Sequence, residues 1–218
     1  MTWLCDASGH IADFFKATGE EVPGTAISTG LPLTDMAFIG TQMYGTTSDS
    51  IYQIDSTTGE STLIKQYAGS QDINALVGHN GNLYTATGNS HNIYQVSPTT
   101  GQAKLYAHIG FASAGDLAWS GNILYESVQL NNGNDGLYDV TDHRLVGAFR
   151  TRSGQHFNDL FALTDNQPTF GNPPYGMFAI SGNDIYQINL ANGVLTHLSN
   201  NAATGFGAAQ GGAWMHVG

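Results

Sequence analysis

Ile51-Tyr52-Gln53-Ile54-Asp55-Ser56-Thr57-Thr58-Gly59-Glu60 decides the fold, because it comes back. It returns as Ile93-Tyr94-Gln95-Val96-Ser97-Pro98-Thr99-Thr100-Gly101-Gln102. One residue shorter, it is Ile185-Tyr186-Gln187-Ile188-Asn189-Leu190-Ala191-Asn192-Gly193. Leu137-Tyr138-Asp139-Val140-Thr141-Asp142-His143-Arg144 is a worn copy. Ile11-Ala12-Asp13-Phe14-Phe15-Lys16-Ala17-Thr18-Gly19-Glu20 keeps the register with its aromatics moved. Copies spaced about 40 residues apart mark a repeat architecture, in which one unit cannot bury its apolar face alone and must stack on the next.

The residues around the second copy show what one unit is. Asp72-Ile73-Asn74-Ala75-Leu76-Val77 reads as a strand, and Asn80-Gly81 is a hairpin turn. Leu83-Tyr84-Thr85-Ala86 is a second strand, and Gly88-Asn89-Ser90-His91-Asn92 is a loop. Ile93-Tyr94-Gln95-Val96 alternates with period two, as a third strand should. Thr99-Thr100-Gly101 turns the chain into Ala103-Lys104-Leu105-Tyr106-Ala107, the fourth. Four antiparallel strands in about 40 residues describe a propeller blade. Helical solenoids of similar period need apolar residues at three- and four-residue spacing, whereas these units are dense in β-branched residues and Gly. The segment from His10 to Ala17 could be drawn as an amphipathic helix, but its Thr18-Gly19-Glu20 tail matches the turn after a third strand, so a strand is expected there.

The two ends complete each other. Residues 1–30 hold strands two to four of a blade and no first strand. Ala209-Gln210-Gly211-Gly212-Ala213-Trp214-Met215-His216-Val217 offers a first strand with nothing after it, and Ala213-Trp214 aligns with Ala118-Trp119. The expectation is an all-β chain: a single five-bladed β-propeller of four-stranded antiparallel blades, closed by a blade shared between the N- and C-termini. Its blades would span 208–218 plus 1–30, 35–70, 72–113, 114–154 and 157–206. The strand near Gly212–Val217 should pair with the one near Thr2–Asp6, removing a free sheet edge.

The Ile-Tyr-Gln-Ile-Asp-Ser-Thr-Thr-Gly-Glu phrase, followed by a Thr-Leu-Ile strand, resembles the blade repeat of a broad bacterial β-propeller superfamily, often secreted. The resemblance covers nearly the whole chain and implies the fold. It implies no single function, since such propellers host lectins, lyases, hydrolases and scaffolds. Five-bladed relatives by count include tachylectin-type sugar binders and arabinanase-type glycosidases, and no residue motif here matches either.

Composition narrows the partners. The formal net charge is -11, with only 6 Lys and Arg against 17 Asp and Glu. Nucleic acid is disfavoured because phosphate needs a basic face, and anionic membrane surfaces are disfavoured likewise. No apolar run reaches the roughly 20 residues of a membrane helix. Cys5 is the only cysteine, so no intrachain disulfide or thiolate cluster can form, and it reads as a buried thiol. Met1-Thr2-Trp3-Leu4-Cys5-Asp6 lacks the basic and apolar regions of a secretory leader. Localisation stays open, since the composition also suits a secreted protein whose leader was removed.

Chemistry is expected on one face. An Asp opens the first strand of four blades: Asp35, Asp72, Asp116 and Asp159, with Gln210 in the fifth. First strands line a propeller's channel, so these residues should rim one mouth. They have three uses: pinning neighbouring blades by hydrogen bonds, holding a hard cation such as calcium, or acting as acid and base. The loops between second and third strands should open on the same face, bringing His91, Asn92, Asn134 and Asp135, with His156 and Asn158 ahead of Asp159 and His108 ahead of Asp116. The Tyr stripe of Tyr52, Tyr94, Tyr138 and Tyr186 reads as core between blades. The expected function is a binding module for a small molecule, glycan or protein at the Asp-rimmed face, possible cation assistance included. The alternatives are a metal-dependent or carboxylate-using hydrolase or lyase on that face, and an interaction domain of a larger secreted protein.

Overall fold

The computed structural model describes residues 2–14, 21–69, 71–131, 133–149, 159–163, 176–181, 184–199 and 209–214. Their strands are β1 (Thr2–Asp6), β2 (His10–Phe14), β3 (Ile27–Ser28), β4 (Asp35–Ile39), β5 (Gln42–Thr46), β6 (Ser50–Ile54), β7 (Ser61–Gln66), β8 (Ile73–His79), β9 (Asn82–Thr87) and β10 (Asn92–Val96). β11 (Ala103–His108), β12 (Ala112–Ser120), β13 (Ile123–Gln129), β14 (Asp135–Asp139), β15 (Arg144–Phe149), β16 (Asp159–Leu163), β17 (Gly176–Ser181), β18 (Asp184–Ile188), β19 (Leu195–Ser199) and β20 (Ala209–Trp214) follow. They form five four-stranded sheets, in the orders β20-β1-β2-β3, β4-β5-β6-β7, β8-β9-β10-β11, β12-β13-β14-β15 and β16-β17-β18-β19. Every pairing is antiparallel. The first strands touch in a closed circle, β20 to β4, β8, β12, β16 and back to β20. The chain is therefore an all-β, five-bladed propeller.

The shared blade closes as expected. Thr2 pairs with Trp214, Trp3 with Ala213, Leu4 with Gly212 and Cys5 with Gly211. β20 starts at Ala209, ahead of the expected Gly212, and Met215–Val217 lie outside the described residues. β2 is a strand over His10–Phe14, while the expected turn at Thr18–Glu20 lies outside them.

The repeated phrase recurs because it does three structural jobs. Its Ile-Tyr pair marks a bulge against the fourth strand: the register shifts at Ile51/Tyr52, Ile93/Tyr94, Leu137/Tyr138 and Ile185/Tyr186. Bulges twist the outer strand and discourage foreign pairing. Its Asp, Ser or Asn caps the turn: Asp55 Oδ1 accepts from the Thr57 and Thr58 amides at 2.7 and 3.0 Å, and Asn189 Oδ1 from the Ala191 amide at 2.9 Å. Its Gly sits on the previous blade. A Cβ at Gly101 would collide with the Ile64 carbonyl in β7, and one at Gly193 with the Gly147 backbone in β15.

The core lies between blades. Trp3, Cys5 and Ile11 pack on Met36, Phe38 and Met43. Tyr44 and Ile51 pack on Leu76, Leu83 and Val96. Ala75, Tyr84 and Ile93 meet Leu117, Leu124 and Tyr138, and Tyr125 and Leu137 meet Met177 and Tyr186. The Tyr stripe belongs to these seams. In an antiparallel blade the start of strand one and the end of strand two share a side, so the first-strand starts and the loops between strands two and three open on one face. The Gly turns occupy the other.

Candidate functional site

The carboxylates expected to rim the channel do not form one equivalent set. First-strand residues Ala37, Val77, Ala118 and Phe161 pair with Tyr44, Tyr84, Tyr125 and Phe178. Two residues earlier in each strand stand Asp35, Ala75, Asp116 and Asp159. In the shared blade, where Ala213 pairs with Trp3, the matching residue is Gly211, so Gln210 is out of step. Asp72 is also out of step. It precedes β8, is exposed and has a left-handed backbone with φ 54°. The displacement includes a bulge, which leaves Asn74 unpaired between Ile73 and Ala75. Asp116 is not a strand opener either, since β12 begins at Ala112. Only backbone is described for Asp159 and Gln210, and His156 and Asn158 lie outside the described residues.

Asp35 and Asp116 carry hydrogen bonds in the fold. Asp35 is fully buried, and its Oδ1 accepts from the Met36 amide at 2.7 Å. Its Oδ2 accepts from the Leu76 amide of the next blade at 2.5 Å. One carboxylate thus ties β4 to β8, as a strand-start Asp can when neighbouring amides need acceptors. Asp116 is buried; its Oδ1 accepts from the Leu117 amide at 2.5 Å, and its own amide donates to Ser127 Oγ at 3.0 Å.

The loops on the same face are more open. His91 and Asn92 are half-buried and His108 is exposed. Asn92 Oδ1 lies 2.8 Å from His108 Nδ1, and Asn92 Nδ2 donates to Tyr94 Oη at 3.1 Å. The His91 and His108 rings stack with centroids 6.3 Å apart. In the neighbouring loop Asp49 Oδ1 accepts from Thr47 Oγ1 at 3.1 Å and Ser50 Oγ at 2.9 Å. The Ser50 and Thr47 hydroxyls hold its carboxyl below the usual carboxylate range. Asn134 accepts from the Leu130 amide through its carbonyl at 2.9 Å, and Asp135 is buried at the start of β14. Asp135 therefore presents little to solvent, whereas Asn134 is half-buried like Asn92. Among the described residues no three His, Cys, Asp or Glu side chains are gathered to hold a metal ion, and no helix is long and apolar enough to cross a membrane.

One buried group was missed. Glu126 lies in β13 on the face shared by Leu124 and Val128, deep in the seam between the β8–β11 and β12–β15 blades. Burial pushes its carboxyl up to about 8, against a hydrogen bond with Ser113 that pulls the other way. Its Oε2 is buried without a hydrogen-bond partner, as is Asn74 Oδ1. Asn74 Nδ2 and Gln129 Nε2 both donate to the Ser113 carbonyl, at 3.2 and 3.1 Å. The signal was present as a Glu at a core position of an alternating strand.

No family model matches the chain, and no curated protein matches it. Many solved structures do. The WD40 domain of Neurospora crassa Pan2 aligns at a TM-score of 0.50 and 15% identity, over 89% of this chain and 60% of that one. The chain thus spans less than two thirds of that domain, and the likeness is one of propeller fold.

Proposed function

We propose that the chain is a ligand-binding propeller module that takes a neutral, hydroxyl-rich ligand of the glycan class on the face where the second-to-third strand loops open. The carrying observation is the half-exposed Asn92–His108–Tyr94 network, which presents fixed donors and acceptors where Asp35 and Asp116 are already committed to backbone amides. Binding sites favour polar groups whose orientation is set beforehand. The scarcity of Lys and Arg and the charge of -11 argue against anionic ligands. The repeat phrase supports placing the chain with the bacterial propeller repeats it resembles.

A glycan array followed by amide hydrogen exchange with the best binder tests this. Slowed exchange at 47–50 and 88–92 is expected. Slowed exchange confined to the turns at 55–59, 97–101 and 189–193 would place the ligand on the opposite face and overturn the reading. Cation assistance is tested separately. If calcium binds through Asp72 and Asp159, the melting temperature rises with its concentration, and replacing both by Asn removes the rise. No rise in the wild type overturns cation assistance.

A further inference from the structure

We propose that His91 and His108 form a two-imidazole site for a divalent transition metal of the zinc, copper or nickel class. The proposal rests on the reading of their face as the binding face.

The chain brings the two rings together by a specific backbone device. β10 and β11 pair Asn92 with His108, and the His91 carbonyl accepts from the Ile109 amide at 3.1 Å. In an extended strand His91 and Asn92 would project to opposite faces. His91 instead has φ 56°, in the left-handed region that costs a non-Gly residue energy. Its ring lies 6.3 Å from that of His108 with 25° between the planes, so His91 must turn about its side-chain torsions before a nitrogen of each ring can reach one ion.

The hydrogen bonds then set which nitrogen is free. Asn92 Nδ2 donates to Tyr94 Oη, so its Oδ1 is the atom facing His108 Nδ1. An acceptor at 2.8 Å keeps the proton on Nδ1 and leaves Nε2 with its lone pair. Metal-binding imidazoles are commonly oriented this way, with the second nitrogen donating to an oxygen that fixes the ring. Imidazole suits zinc, copper and nickel better than calcium. Two protein ligands leave positions open on a tetrahedral or square-planar ion, so a bound metal would also present water or take a donor atom from an incoming ligand.

The test uses the folded full chain and the metals alone as probes. Isothermal titration with zinc and nickel should show one site that weakens at least tenfold in His91→Ala and in His108→Ala. Asn92→Ala should weaken it by a smaller factor, since it frees the ring without removing a ligand. His143→Ala, on the opposite face, should leave it unchanged. Substoichiometric copper should broaden the NMR signals of 88–92 and 106–110 selectively. Equal affinity in the His91→Ala/His108→Ala double variant, or broadening centred on His143 or His197, would overturn the proposal. Metal binding at this site with glycan protection elsewhere would sink the proposed function and leave the metal site standing.

Discussion

Glu126 makes the sharpest statement a single residue can make here. Its carboxyl is fully buried, and burial pushes it up to about 8 from the 4.5 of an ordinary Glu. The folded state therefore holds a proton that the unfolded state releases at lower pH. Stability from this group is fully present below about 4.5 and is lost as pH rises towards 8. The shift corresponds to several kcal/mol. Urea unfolding at pH 5 and pH 8.5 should show the wild type weakening, and Glu126→Gln should flatten that trend and be the more stable protein at pH 8.5. An unchanged slope in the variant would show that the proton sits elsewhere. Asp35 differs in having its carboxylate held by two backbone amides, those of Met36 and Leu76. Asp35→Asn keeps the shape but loses one of two acceptor oxygens, and should cost about 1–3 kcal/mol. Asp72→Asn, at an exposed position, should stay within about 0.5 kcal/mol. Equal effects would remove the role of Asp35 in tying the blades.

At the scale of elements, the Gly turns after β6, β10 and β18 act as spacers between blades. Gly101 has φ 66° and faces the Ile64 carbonyl, whereas Gly81 has φ 74° and open space. Alanine at either site should cost about 1–2 kcal/mol for the left-handed backbone. Gly101→Ala should cost more, because the blades must also part. Chemical denaturation of the pair decides it, and equal losses would reduce the turn to a local matter. This element was legible in the sequence because one phrase carries Tyr, cap and Gly in fixed register. The bulges were not legible, since an extra residue in a fourth strand leaves no compositional mark. The Asn74 bulge also misled the site reading: Asp72 and Asp35 look alike in sequence, yet the pairing puts Ala75 where Asp35 stands. The His91–His108 pair was hidden for a similar reason, as it depends on one left-handed residue and a cross-strand neighbour.

At the scale of the whole molecule, stability depends on ring closure through β20 and β1. Removing residues from 209 onward would leave β1 as an open edge and expose apolar surface against β4 and β16. Such a chain should lose several kcal/mol and associate through that edge. An unchanged melting temperature would mean that the ring does not need its clasp. A joined-end variant reopened at the Asn80-Gly81 turn should fold, because no blade depends on being first. The clasp has a further consequence in time. Synthesis runs from the N-terminus, so β1 is made before the other described strands and its partner β20 after them. Between those two moments the blade is a half-finished sheet waiting for β20, and the β20 of a neighbouring nascent chain would fit it as well. Strand exchange between sister chains is the error expected of a ring closed in this order.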